Sequence, residues 1–252
     1  MNHKPLRLKC LACEVLARPV YLCAAQSPHI VDVELFQYGL HRHPPTLRTK
    51  LQSHIDSAAA QDFDAIVMAY GLCGQAPAGL TARQVPLILP RAHDCITLFL
   101  GGRTRYQQQF KENPGTYWYV QDYIERDDGS GSAMSLGSGG ESDIDAVYEE
   151  YVEKYGQDNA DYLMEVMGAW QQHYSRAAYI DMGVGNGAAV EQRAQADAAK
   201  RGWVFERVAG DMILIRRLLA GDWDSNFLIL EPNQQLTMTY DEEVIGCALA
   251  RT

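Results

Sequence analysis

Three cysteines follow three separate apolar segments of the chain. Cys13 closes the segment LRLKCLAC, Cys73 follows FDAIVMAY, and Cys95 follows VPLILP. Thiolates are ligands for zinc and for the iron atoms of iron–sulfur clusters. If the apolar segments are parallel strands, their carboxyl ends share one edge of a sheet and bring the thiols together. The spacing therefore predicts a metal or cluster site formed by Cys13, Cys73 and Cys95.

Ionisable side chains accompany the predicted ligands. His93 and Asp94 stand directly before Cys95, and Glu14 directly follows Cys13. Each could move a proton to or from a reacting group, so all three are candidate catalytic residues. His93 could also be a metal ligand or a core histidine, and Glu14 could instead complement a helix dipole.

Other residues near these motifs are candidates for substrate binding. Arg91 and Arg103 could hold an anionic group through bidentate contacts, with solvated surface arginines as the alternative. Tyr70, which opens the motif YGLCG, is a further candidate. Gly183 and Gly185, in GVGNGA, lie between a predicted strand and a predicted helix, where free backbone N–H groups can bind an anion. A tight turn is the alternative explanation for these glycines.

The remaining cysteines are predicted to be buried packing residues. Cys10 falls inside a strand pattern, Cys23 lies on a helix face, and Cys247 lies in the apolar run IGCALA. Cys10 and Cys13 also form a C-x-x-C sequence, which is typical of redox pairs. Strand alternation, however, turns their side chains in different directions.

Strand and helix patterns alternate on both sides of a segment rich in Gly and Ser. Such alternation indicates an α/β fold with mainly parallel sheets. We predict two Rossmann-like lobes with a cleft between them. Residues 1–125 would form the N-terminal lobe that carries the cysteine motifs, residues 126–142 a linker, and residues 143–252 a helix plus the C-terminal lobe.

Composition narrows the class of protein. The chain has 252 residues and a formal net charge of −10, which argues against nucleic acid or an anionic membrane as partner. No targeting or membrane-spanning pattern is visible, so a cytoplasmic location and reduced cysteines are expected. An enzyme with a small-molecule substrate fits these features, as does almost any other soluble protein.

The motifs LACEVL, YGLCG, VPLILPRAHDCITLFLGG and NPGTYWY resemble those of the domain-of-unknown-function family 1638. The resemblance carries over to Cys13, Glu14, Tyr70, Gly71, Cys73, Gly74, Arg91, His93, Asp94 and Cys95. Members of that family are often encoded beside corrinoid-dependent methyltransferases, which implies one-carbon metabolism and corrinoid or methyltransferase proteins as partners. The family provides no activity to transfer, so the reaction stays open.

Several functions are compatible with these patterns. We expect a metal- or iron–sulfur-dependent enzyme of the lyase or transferase type. Three cysteines at three strand ends resemble the layout of other α/β cluster enzymes, and this fold-level analogy favours a [4Fe–4S] cluster over zinc. Zinc would instead suit methyl transfer to a thiol. A non-catalytic metal or corrinoid accessory protein, and a metal-free ligand-binding protein with buried cysteines, are the remaining alternatives.

Overall fold

The computed structural model describes most of the chain in two compact units. One unit comprises residues 1–106 and 210–252, and the other residues 107–209. The predicted linker beyond residue 126, and almost all of the helix predicted after it, lie outside the described residues. The described residues are 4–59, 62–126, 152, 156, 157, 174–239 and 241–250.

The first unit is built on a five-stranded sheet of order β2-β1-β3-β4-β8. The first four strands in the chain are parallel, and β8 runs antiparallel to β4. Every residue of β3 and β4 is buried, which explains their unbroken apolar sequence. The strands are β1 (Arg7–Cys13), β2 (Ile30–Phe36), β3 (Ala65–Ala69), β4 (Leu87–Pro90) and β8 (Phe227–Leu230).

Helices of the first unit pack their apolar sides against this sheet and against one another. The helix of Ile213–Leu219, α7, contacts the first helix, α1 (Ala17–Ala25), and strands β3 and β4 through a buried face that includes Ile215 and Leu218. The helices are α1 (Ala17–Ala25), α2 (Pro44–Ala59), α3 (Cys95–Phe99), α4 (Arg103–Glu112), which begins in this unit, and α7 (Ile213–Leu219). Single 3₁₀ turns occupy Glu14–Leu16, Tyr38–Arg42 and Cys73–Gln75.

An antiparallel hairpin formed by β9 (Gln234–Met238) and β10 (Ile245–Leu249) completes the first unit. The N–H of Gly79 donates to the carbonyl of Leu236, and the N–H of Leu236 donates to the carbonyl of Leu80, each at 2.8 Å. The hairpin is therefore tied to the segment that follows the Cys73 motif.

The second unit contains a three-stranded parallel sheet of order β5-β6-β7. Its strands are β5 (Thr116–Val120), β6 (Arg176–Asp181) and β7 (Val204–Ala209), and its helices include α5 (Gln121–Glu125) and α6 (Ala188–Arg201). Helix α6 covers one face of this sheet. The core between them contains the sheet tyrosines Tyr117, Tyr119 and Tyr179 and the helix residues Val190 and Ala194.

The mixed α/β class and the mainly parallel sheets are as predicted, but the division of the chain differs. The predicted strand NFLILEP is β8 of the first sheet, not a strand of the second lobe. The backbone of β8 pairs with the otherwise open edge of β4, and its apolar side chains join the core, so the chain returns to the first unit after residue 209. The predicted cleft between two lobes stays a prediction.

Within the described part of the chain, no helix combines the length and the apolar composition that crossing a bilayer requires.

Candidate thiol site

The carboxyl ends of β1 and β3 place Cys13 and Tyr70 on neighbouring strands. Ala12 pairs with Ala69, so the next residue of each strand segment lies at the same level. Cys13 is the last residue of β1 and is 9% exposed. The first predicted ligand therefore lies where the parallel arrangement requires it.

The turns after β3 and β4 lie directly against each other. The N–H of Leu72 donates to the carbonyl of Ala92 at 2.9 Å, and the N–H of Cys73 donates to the carbonyl of His93 at 3.0 Å. A Cβ on Gly71 would lie 2.5 Å from the backbone of Asp94, closer than real Cβ contacts allow. This close approach explains why the second residue of YGLCG, Gly71, is a glycine, because any side chain there would keep the two turns apart.

Cys73 has a backbone conformation that is unusual for a residue with a side chain. Its φ is 37°, in the left-handed region that favours glycine. Such a conformation costs a non-glycine residue on the order of 1–2 kcal/mol. The surrounding turn holds it there, and its side chain is half-exposed. Strain of this kind often marks functional positions.

The Cys73 and Cys95 thiols are close enough to interact. Hydrogen bonding with Cys73, together with burial, raises the pKa of the Cys95 thiol well above its usual range. Negative charge on Asp94 and Cys13 acts in the same direction. Cys95, the first residue of α3, is half-buried. Two of the predicted ligands therefore lie side by side, and the third lies within electrostatic reach of them.

Tyr70 contributes a buried hydroxyl beside these thiols. The residue is 2% exposed, and its hydroxyl has no acceptor in normal hydrogen-bond geometry within the described part of the chain, although the Cys13 thiol is near enough to interact with it. Burial, followed by the charges of Cys13, Cys73 and Glu14 and by the interaction with the Cys13 thiol, raises its pKa well above the usual value. Because a thiol is a weak acceptor, this buried hydroxyl could donate to a bound molecule instead.

Asp94 is committed to local structure. One carboxylate oxygen accepts from the N–H of Thr97 at 3.1 Å and caps α3, and the other accepts from the Tyr106 hydroxyl at 3.1 Å. Burial raises the pKa of Asp94, although these two donors and the charge of His93 oppose it. Sequence reasoning named Asp94 but missed Tyr106, because the pairing depends on the position of α4.

The other two candidate proton-transfer residues differ in their surroundings. An oxygen of Glu14 accepts from the N–H of Tyr38 at 2.6 Å and so anchors the 3₁₀ turn after β2. His93 is exposed, with its ring centroid 6.1 Å from that of Tyr106. Of the three, His93 is the most accessible to a substrate at the thiol site.

Both predicted substrate-binding arginines of this unit pair with the C-terminal hairpin. The Nε of Arg91 lies 3.0 Å from one oxygen of Glu243, and the Nη1 of Arg103 lies 3.6 Å from the other. Arg91 also donates to the carbonyl of Ile245, and Arg103 to that of Glu242. The two guanidinium groups thus fix the hairpin, and their predicted role in substrate binding stays a prediction.

The predicted anion-binding glycines belong to the second unit. Gly183 and Gly185 have positive φ values of 66° and 84°, so both occupy conformations that favour glycine. The N–H of Gly183 donates to the side chain of Asp181 at 2.9 Å, and Arg207 pairs with the same carboxylate at 2.6 Å. The turn that was the alternative explanation is present, and anion binding there stays a prediction.

The remaining cysteines follow the prediction in two cases out of three. Cys10 and Cys23 are buried, and burial raises the pKa of the Cys10 thiol to about 12. The prediction for Cys247 is wrong, because this residue is exposed on β10. Most of β10 lies at the surface of its hairpin, so the apolar sequence there does not indicate burial.

The placement of the possible metal-ligating side chains decides whether they could surround a single ion. Within the residues that the structure describes, no three His, Cys, Asp or Glu side chains are placed so that they could hold a metal ion. The contact between Cys73 and Cys95 is therefore the closest approach to a ligand set that the site provides.

Fold and site together define a mixed α/β protein with a thiol site at the carboxyl edge of its larger sheet. Residues 35–219 match the family model described as "Protein of unknown function (DUF1638)", so the chain belongs to this family. The matched segment contains the motifs of Cys73 and Cys95, whereas Cys13 and Glu14 precede it. No curated protein and no solved structure matches the chain.

Proposed function

We propose that this protein is an enzyme that acts on a small molecule at the thiol site, with an iron–sulfur cluster held by Cys13, Cys73 and Cys95. The observation that carries the proposal is the backbone of Cys73, which is left-handed and places its thiol against Cys95. Glycine would be more stable in that conformation. A cysteine there supports a role for its thiol.

The donors are of a kind that a cluster and a single soft ion both accept. Three thiols come from the end of β1 and from the turns after β3 and β4, and thiolates are soft ligands preferred by iron–sulfur clusters, zinc and copper. No three donors among the described side chains are placed around one ion. In a cluster each cysteine binds a different iron atom, so the Cys73 and Cys95 thiols would have to move apart when a cluster binds.

The protein's own groups can supply binding and proton transfer. When bound, a cluster with three cysteine ligands would offer an open iron for Lewis-acid or electron-transfer chemistry. His93 is exposed next to Cys95 and would exchange a proton with the substrate. The Tyr70 hydroxyl would donate a hydrogen bond to an acceptor atom of the substrate. Glu14 and Asp94 already accept from backbone N–H groups, so we assign the proton transfer to His93.

Two alternatives use the same residues. Zinc at these thiols would favour methyl transfer to a thiol substrate, because zinc keeps a thiolate nucleophilic at neutral pH. A non-catalytic metal or corrinoid accessory protein would need the thiols but no acid or base. Corrinoid or methyltransferase partners and a cytoplasmic location stay predictions that rest on the sequence.

Metal analysis of protein purified without oxygen tests the proposal. We expect iron and acid-labile sulfide in the wild type and a large loss of both in Cys73→Ser, with an unchanged circular dichroism spectrum. The control is Cys23→Ser, at a buried cysteine of α1 outside the thiol site, which should retain its metal per folded molecule. One zinc without sulfide would favour the zinc alternative. Equal metal content in all three proteins, or none in the wild type, would refute the cluster.

A further inference from the structure

Cys73 and Cys95 form a pair of thiols that can react with each other as well as with a metal. The turns that carry them are joined by backbone hydrogen bonds and their side chains are near enough to interact, whereas Cys13 acts on Cys95 only through its charge. We infer that Cys73 and Cys95 are a reversible dithiol–disulfide pair, for which a low-molecular-weight disulfide such as oxidised glutathione is the oxidant.

The backbone holds the two residues together independently of their thiols. The N–H of Cys73 donates to the carbonyl of His93, two residues before Cys95, and the N–H of Leu72 donates to the carbonyl of Ala92. The missing side chain of Gly71 lets these turns meet. Forming the disulfide therefore costs the folded protein little chain entropy, since the native turns already hold the two cysteines close together.

Accessibility selects this pair among the cysteines of the site. Cys73 is partly exposed, so a small oxidant can reach it, while the more enclosed Cys95 needs only to reach the Cys73 sulfur; Cys13 is 9% exposed and Cys10 is fully buried. Cys247 is exposed but lies on the C-terminal hairpin rather than in the turns after β3 and β4. The expected product is a single intramolecular disulfide.

The exchange balances in two steps. The Cys73 thiolate attacks one sulfur of oxidised glutathione, forms a mixed disulfide and releases one glutathione thiolate. The Cys95 thiolate then attacks the Cys73 sulfur, forms the protein disulfide and releases the second glutathione. The protein loses two protons and two electrons, and one molecule of oxidised glutathione becomes two of the reduced form.

Oxidation would remove two of the three proposed cluster ligands. This consequence rests on the proposed function, since a disulfide sulfur is not a thiolate and no longer binds iron in the same way. Loading of the site with metal and closure of the disulfide would therefore exclude each other, so the redox state of the cell would control the metal content of the protein.

Peptide mapping tests the pair directly. Reduced full-length protein, treated with chelator under nitrogen, is incubated with oxidised glutathione, blocked with N-ethylmaleimide and digested with trypsin. Cleavage after Lys50, Arg83, Arg91 and Arg103 places Cys73 in peptide 51–83 and Cys95 in peptide 92–103. We expect these two peptides to be cross-linked in most molecules and to separate again after dithiothreitol.

Two variants sharpen the result. Cys95→Ser should accumulate a glutathione adduct on peptide 51–83, because the second thiol is missing, while Cys247→Ser should form the cross-link as the wild type does. Both peptides remaining separately blocked, or a cross-link from either of them to peptide 10–42, which contains Cys13, would overturn the inference. Metal analysis of the untreated sample tests the proposed function separately, because disulfide formation in the chelated protein requires no metal.

Discussion

Replacing Cys73 by glycine and by alanine separates the backbone strain at this position from the function of its thiol. Both variants lose the thiol and its contact with Cys95, so they differ only in the Cβ. At a φ of 37° the alanine Cβ retains the strain and glycine removes it. The strain is worth about 1–2 kcal/mol, and the greater freedom of glycine in the unfolded chain offsets about 0.4–1 kcal/mol of it.

We therefore expect Cys73→Gly to be more stable than Cys73→Ala by about 1 kcal/mol. Urea unfolding of chelated protein, followed by circular dichroism, measures the difference without a contribution from bound metal. The unfolding midpoints should differ by about 0.3–0.5 M for a chain of this size. If the proposed metal is bound, both variants should lose it to the same extent, although one of them is the more stable protein.

A nearby substitution provides the control with the opposite sign. Ala76, three residues further along, has a φ of −59°, where glycine relieves nothing. Ala76→Gly should therefore lower the stability by about 1–2 kcal/mol through chain entropy and the lost buried methyl group. If Cys73→Ala is as stable as Cys73→Gly, the left-handed strain does not exist and the main support for a functional thiol is lost.

Three further substitutions test the packing around the site and the second unit. Gly71→Ala should reduce metal content and destabilise the fold by about 1–3 kcal/mol, since its methyl group meets backbone at 2.5 Å; wild-type values would contradict the proposed contact. Glu243→Ala should cost about 1 kcal/mol in urea unfolding, because Arg91 and Arg103 lose their shared carboxylate partner and keep only backbone acceptors; no change would mean that the carboxylate contributes nothing. Arg207→Met should raise the pKa of Asp181 in an NMR titration, since hydrogen bonding from Arg207 holds it low. Because the pKa of Asp181 is lower in the folded than in the unfolded protein, its pairing with Arg207 stabilises the fold above about pH 4, and this contribution is lost as the pH falls through the folded pKa. Arg207→Met should therefore be less stable than the wild type only above about pH 4. An unchanged Asp181 titration in this variant would refute the prediction.

The sequence was most informative where local pattern and topology agree. Unbroken apolar runs before Tyr70 and Arg91 indicate buried parallel strands, and parallel strands place the residues that follow them on one edge. This logic located Cys73 and Cys95 correctly relative to each other. The close backbone approach at Gly71 was not predicted, because its partner, the turn at Asp94, belongs to a different strand connection and is identified only in the structure.

Other features depend on contacts between distant parts of the chain. Arg91 and Glu243 are far apart in sequence, and no local pattern indicates that the hairpin of β9 and β10 comes back to the arginine. The direction of β8 was equally hidden, because a short apolar strand reads the same whether it pairs parallel or antiparallel. Cys247 illustrates the same limit, since its run is apolar while the hairpin leaves it at the surface.

The return of the chain to its first sheet affects how the protein is made. The second unit is continuous in sequence, from residue 107 to residue 209, while the first unit lacks β8 until the ribosome has passed residue 230. Until then β4 has an open hydrogen-bonding edge made of apolar residues, the type of edge that promotes association between chains. We therefore expect nascent or truncated chains that end before β8 to aggregate, even though every residue of the Cys73 and Cys95 motifs has already been synthesised.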